Sequence, residues 1–162
     1  QAQGKRGSSG EFYRLQSILC YYRLQFILNE QKDGLLLMWT VKASDGFQAW
    51  FRIQDADTRA AIAAAVRFLE VDGPQLGRPR ADTLNGSKLA NLKELRVSKG
   101  SEPVRCAYIF DPKRQAVLLC GGSKQGKSGK SEEQFYKDLI KVAEAEYSKY
   151  LQQLQEEEND CD

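Results

Sequence analysis

The chain reads as an α+β domain: a small, mostly antiparallel sheet with two N-terminal helices packed on it and one C-terminal helix. Three observations predict this. Strand-like runs at 91–97, 104–110 and 116–120 follow one another with only short turns between them, which suits antiparallel hairpins rather than parallel crossovers. Two amphipathic segments precede these runs and one follows them. Strands grouped apart from helices mark an α+β layer, with the helices expected on one face of the sheet.

The elements follow in order. The only methionine, Met38, stands where the pattern changes. Before it, GKRGSSGEF has linker composition, and then YRLQSILCY is followed by YRLQFILNE, a nine-residue tandem repeat. Two copies are too few for a solenoid. Read structurally, the repeat is an amphipathic helix with Leu15, Ile18, Leu19, Tyr22 and Phe26 on one stripe. The preferred reading takes Met38 as the natural start and 1–37 as a tag, linker or translated upstream segment that is not native. From Met38, MWTVKA reads as a first strand. Ser44 and Asp45 offer caps for a short helix carrying Phe47, Trp50 and Phe51. Asp57 is the expected cap of a second helix with Ile62, Val66 and Leu69 on its apolar face, ended by Gly73-Pro74. The loop PQLGRPRADTLNG argues against regular structure by its Gly, Pro and Asn content. KGSE and Asp111-Pro112-Lys113-Arg114 are turns between the three strands. Ser131-Glu132-Glu133-Gln134 has the S-x-x-Q form of a capping box. It opens a last helix with Phe135, Leu139, Val142 and Ala143 on one stripe, fading near Leu154. Residues 38–154 are thus the domain and 155–162 an acidic tail.

Composition excludes several classes. At 162 residues and 41% hydrophobic content the chain supports one domain with extensions. No apolar run approaches the roughly 20 residues of a membrane span, LLLMW at 35–39 being far too short, and no secretory leader pattern occurs. The four cysteines are scattered without a CxxC pair, and histidine is absent. The reading is therefore a reduced, cytoplasmic protein with no metal site and no cofactor.

Charge is strongly segregated. From Leu84 to Lys130 there are ten Lys/Arg against three acids, a net of +7 in a chain of net +2. From Ser131 to Asp162 there are ten acids against three Lys, a net of −7. The acidic end reads as a solvated helix face and a frayed tail. The basic stretch lies in and around the strands, so it should form a basic sheet surface, which suits RNA.

Gly121-x4-Gly126-Lys127-Ser128 matches a phosphate-binding loop, between a strand and a helix as that motif requires. Such enzymes need further strands after this loop, and none remains here. The alternative is a basic glycine loop that meets a phosphodiester backbone.

Strand alternation puts Glu94 and Arg96 on one face of 91–97, with Lys93, Leu95 and Val97 on the other. On 104–110, Arg105 shares a face with Ala107 and Ile109. Arg105 is the one charge in that strand, where unpaired burial is costly. A bare salt bridge to Glu94 explains it. So does a functional cluster of Glu94, Arg96, Arg105 and Lys124. Such a cluster can cleave RNA without metal: the substrate 2′-hydroxyl attacks its own phosphate, with Glu94 as base, Arg96 and Arg105 on the phosphate, and Lys124 at the leaving oxygen. Tyr136 would stack on a base or act as an acid. Lysine and tyrosine ordinarily titrate near pH 10, so this chemistry works best where another body pre-orients the phosphate. Arg105 and Lys124 are expected at the exposed side of the sheet, removable with little loss of stability.

From Met38 to about Leu154 the chain resembles the RelE/ParE superfamily of bacterial toxins, most closely its HigB-like, phage-derived branch. The resemblance rests on MWTV, GPQLGRPRADTLNGSKLANLKELRV, VRCAYIFDPKRQAVLLCGGSK and FYKDLIKVAEAEYSKYL, in that order. It implies a RelE-like fold and a ribosome-dependent, metal-independent mRNA endoribonuclease that inhibits translation. It also implies a helix-turn-helix antitoxin as partner. Carried over by position, Arg96, Arg105 and Lys124 are catalytic, and Phe135-Tyr136 stands where the family often has Trp-Tyr. Lys88, Lys93, Lys127 and Lys130 join Phe135 as RNA contacts. Ser123 replaces a common Asp, and Leu92-Lys93-Glu94 replaces a Lys-rich strand, which leaves the general base open. Two other readings stay open: a ParE-like gyrase inhibitor on the same fold, and a nucleotide-binding phosphate-loop protein. Codon preference, antitoxin identity and homodimerisation are not legible.

Overall fold

The computed structural model describes residues 38–160. The tandem repeat and the reading of 1–37 as non-native fall outside the described residues.

The elements are β1 (Val41–Ala43), α1 (Asp45–Arg52), α2 (Ala56–Asp72), a 3-10 turn (Gly73–Gln75), β2 (Ala81–Thr83), β3 (Lys93–Lys99), β4 (Glu102–Phe110), β5 (Ala116–Ser123) and α3 (Gly129–Asn159). The five strands form one sheet in the order β1-β5-β4-β3-β2. β1 runs parallel to β5, and the other pairings are antiparallel. The α+β architecture and mostly antiparallel sheet agree with the expectation from sequence.

The helical layer differs from expectation: the single covered face is in fact two. Phe47, Ile62 and Leu69 of α1 and α2 bury against Leu95, Val97, Val104, Cys106, Tyr108 and Leu118. Leu139, Ala143, Tyr147, Tyr150 and Leu154 of α3 bury against Ala107, Ile109, Val117, Leu119 and Cys120 on the opposite face. The reason lies in β4 and β5, which are apolar on both sides and so need cover on both. A register shift helps: Ala107 pairs with Cys120 but Tyr108 with Leu118. The extra residue in β5 is a bulge, and it leaves the consecutive Leu119 and Cys120 both in the α3 core.

Other local expectations are corrected. β2 arises within the segment expected to be irregular, because the edge of β3 recruits Ala81–Thr83 into an antiparallel ladder. α2 is capped by Asp55 rather than Asp57: Asp55 Oδ1 accepts the Thr58 N–H at 2.8 Å. α3 starts earlier than expected, with Ser128 as its cap residue, whose N–H donates to Ser131 Oγ at 3.0 Å. Val142 is half exposed, and the buried stripe continues through Tyr147 and Tyr150 instead. The helix also runs to Asn159, so most of the expected tail is helical.

α3 is fixed along its length by polar contacts. Glu144 accepts from Ser87 Oγ at 2.8 Å and from the Lys88 N–H at 2.7 Å. Glu146 accepts from the Gly46 N–H at the start of α1 at 3.1 Å, where a carboxylate also complements the helix dipole. The buried Tyr150 hydroxyl donates to Asp111 at 2.8 Å. These contacts set where the first turns of α3 meet the sheet.

Candidate functional site

On the α3 face of the sheet, apolar residues give way at one end to charge. Glu94 and Arg96 are two apart on β3 and share this face. Register then places Arg105 of β4 directly opposite Arg96. Two like charges opposed across a ladder repel. Glu94 offsets this by bridging both: Arg96 Nε donates to Glu94 Oε1 at 3.1 Å, and Arg105 Nε lies 3.6 Å from Glu94 Oε2. The second contact is a charge pairing too long for a hydrogen bond. Accordingly Glu94 Oε2 and Arg105 Nε are both buried without a hydrogen-bond partner, although Arg105 Nη1 donates to the Val104 carbonyl at 3.0 Å.

Burial separates the roles of these groups. Glu94 is 3% exposed and Arg105 9%, whereas the Arg96 side chain is 29% exposed. Burial opposes the Arg96 charge, but the hydrogen bond and charge of Glu94, with a contribution from Tyr136, outweigh it and raise its pKa. Arg96 is therefore a fixed cation. The expectation that Arg105 lies at the exposed side is overturned, since it is buried on the face against which α3 packs. Glu94 is buried between the two guanidiniums, with its carboxylate facing them.

The wall of the site comes from β5 and α3. Gly122 pairs with Arg105, and a Cβ there would stand 3.0 Å from the Phe135 ring. The missing side chain is what lets α3 approach so closely. Phe135 and Tyr136 meet edge to face with centroids 5.3 Å apart. Lys124 Nζ sits 5.6 Å from the Tyr136 ring centroid and forms an ion pair with Glu132. The Lys124 N–H donates to the Pro103 carbonyl at 2.7 Å, tying the loop to the start of β4.

A phosphate cradle in the loop after β5 would compete with hydrogen bonds already made there. Such a cradle needs free backbone N–H groups. Here Gln125 N–H donates to Ser123 Oγ, Lys127 N–H to the Lys124 carbonyl, Ser128 N–H to Ser131 Oγ, and Ser131 N–H to the Ser128 carbonyl.

Of the residues singled out from sequence, the structure gathers Glu94, Arg96, Arg105, Lys124, Phe135 and Tyr136. Lys127 and Lys130 lie exposed in the adjoining loop and first turn of α3. Lys88 is exposed beside the middle of α3, where Glu144 holds its backbone. Lys93 does not join them. It lies on the other face and donates to the Pro74 carbonyl at 3.3 Å. Sequence reasoning missed one residue, Glu132, which read only as a capping-box position. The available signal was an acid one helical turn before Tyr136, immediately after a lysine-rich loop.

Burial pushes the Cys106 thiol well up and Cys120 up to about 12, so neither supplies a thiolate nucleophile. Among the described residues no group of three or more His, Cys, Asp or Glu is arranged to hold a metal. No helix there is long and apolar enough to cross a membrane.

Residues 49–148 match the family described as phage derived protein Gp49-like (DUF891). The chain is 38% identical over 119 residues to a Mycobacterium tuberculosis protein named "Putative toxin HigB2", an alignment covering 73% of this chain and 57% of that protein. It is 38% identical over 104 residues to "Putative toxin HigB3" of the same organism, covering 64% of this chain and 86% of that one. The chain thus spans little more than half the length of the first of these relatives.

Proposed function

The chain belongs to the phage-derived Gp49-like family, in its HigB-like branch, and from that premise we propose that it is the toxin of a toxin–antitoxin pair that cuts mRNA on the ribosome. The observation that carries this reading is the pair of opposed arginines on one buried carboxylate. A structural salt bridge needs only one arginine. The second leaves a surplus of positive charge at an open end of the sheet, beside Lys124 and an aromatic pair. That is a site for an anion carrying flat bases.

In this reading the RNA 2′-oxygen attacks the adjacent phosphorus and the bond to the 5′-oxygen breaks. The products are a 2′,3′-cyclic phosphate and a 5′-hydroxyl. Arg96, the more exposed guanidinium, binds the non-bridging phosphoryl oxygens, whose charge grows in the transition state, and the buried Arg105 adds its charge from behind. Glu94 positions both guanidiniums. Phe135 and Tyr136 support a base, and Lys127 and Lys130 meet neighbouring phosphates. The ribosome supplies in-line geometry, a large share of the barrier in reactions of this kind. The partner that silences it is an antitoxin protein of the helix-turn-helix type.

The test is a cell-free translation reaction with mRNA ends mapped by primer extension. Cuts confined to translated mRNA, and absent without ribosomes, are expected. Intact mRNA in a reaction that the protein does not inhibit would refute the proposal and direct the next assay to DNA supercoiling.

A further inference from the structure

The proposed reaction needs a proton acceptor for the 2′-hydroxyl and a donor for the 5′-oxygen. Glu94 is unsuited to accepting that proton, because it is 3% exposed and its carboxylate faces Arg96 and Arg105. One other carboxylate of the described residues pairs directly with a residue of the site. Glu132 stands in the first turn of α3 and forms an ion pair with Lys124 Nζ. Its side chain is 36% exposed and that of Lys124 19%, so both are open to a substrate while touching each other. Glu132 lies one helical turn before Tyr136, whose ring is 5.6 Å from the Lys124 Nζ. It lies three residues before Phe135, which packs on Gly122 opposite Arg105. The acid, the lysine, the aromatic pair and the arginines therefore converge on one end of the sheet.

We infer that Glu132 and Lys124 are the acid–base couple of this site. This rests on the RNA-cleavage reading above. At the start the couple is a carboxylate and an ammonium ion. Glu132 takes the proton from the 2′-hydroxyl as the bond from O2′ to phosphorus forms. Lys124 gives a proton to the 5′-oxygen as the bond from phosphorus to O5′ breaks. The couple is then a carboxylic acid beside a neutral amine, and their direct contact lets the proton pass from Glu132 to Lys124. That transfer restores the starting charges with no outside acid, base or metal. The net change is the substrate's alone: a phosphodiester becomes a cyclic phosphate and a free hydroxyl. Direct contact also explains why neither role needs histidine.

The test compares full-length wild-type protein with Glu132→Gln, Glu132→Asp, Lys124→Gln, the Glu132→Gln/Lys124→Gln pair, and Glu133→Gln. Glu133 pairs with Lys137 on the helix surface and not with Lys124, so its variant removes the same charge one residue away. Single-turnover cutting on stalled ribosomes and ribosome binding are measured separately, and urea midpoints verify folding. Loss of general acid–base catalysis is expected to slow cutting by about 10²–10⁴-fold in Glu132→Gln, with ribosome binding retained. Glu132→Asp should recover part of the rate, Glu133→Gln should cut normally, and the double variant should be little worse than either single one, because the two groups act as a unit. A folded Glu132→Gln that cuts as fast as wild type, or faster, would overturn the assignment and leave Glu132 as a screen over Lys124. Wild-type protein that leaves translated mRNA intact would overturn the cleavage reading itself, and this assignment with it.

Discussion

Glu94→Gln is the sharpest test of how the site is held. The substitution keeps the shape of the side chain and removes its charge. Arg105, 9% exposed, would then lose its carboxylate partner, and the directly opposed Arg96 would keep only the more distant charge of Asp82. Removing one partner of a buried ion pair costs about 3–5 kcal/mol, because a charge is left buried without compensation. Arg96 has its side chain 29% exposed and can turn toward water, which places the expected loss near the lower end, about 3 kcal/mol. In a domain of this size that corresponds to a fall in Tm of roughly 10 °C. Urea unfolding of the full chain at pH 7, with thermal melts alongside, measures it. A compensating variant isolates the cause: Glu94→Gln with Arg105→Met should regain most of the loss, since apolar replacement of a buried ion pair is often neutral or better. A loss under about 1 kcal/mol for Glu94→Gln would refute the claim that this carboxylate organises the arginines.

Three further outcomes are expected. Gly121→Ala should destabilise by about 1–3 kcal/mol in urea unfolding, because its Cβ would overlap the Trp50 ring of α1; Gly122→Ala, which meets the Phe135 ring at 3.0 Å, should disturb RNA cutting more than folding. Tyr150→Phe removes the buried hydrogen bond to Asp111 and should cost about 1.5–3 kcal/mol, the usual range for a bond to a charged acceptor, read from the same titration. Asp55 is held well below the usual carboxylate range, chiefly by its hydrogen bond from Lys99 and then by that from the Thr58 N–H. A depressed folded pKa adds stability above the unfolded value near pH 4 and loses it as pH falls further, so between pH 5 and pH 2 wild type should lose more stability than Asp55→Asn; equal losses would show that the Asp55 contacts do not persist in solution.

The sequence alone determined what local periodicity and chemistry can determine. Alternation with a period of two put Glu94 and Arg96 on one face and Lys93 on the other, and the structure keeps that division. Helical spacing found the buried Phe47, Ile62 and Leu69 of α1 and α2, because an apolar stripe is a property of the segment itself; it did not mark the buried Thr58 and Glu70. The double-sided apolar character of β4 and β5 is also present in the sequence, but the expected layer had helices on one face, and the packed structure covers both. Tertiary structure decided what depends on partners distant in the chain. Nothing local in Ala81-Asp82-Thr83 marks a strand; the free edge of β3 makes it one. That Arg105 stands opposite Arg96 depends on the register between two strands, and a slip of one residue would turn Arg105 to the other face. Glu132 looked like an ordinary first-turn acid, favourable to the helix dipole wherever it points. Only the packing of α3, with Phe135 against Gly122 and the loop tied to Pro103, brings that acid to Lys124.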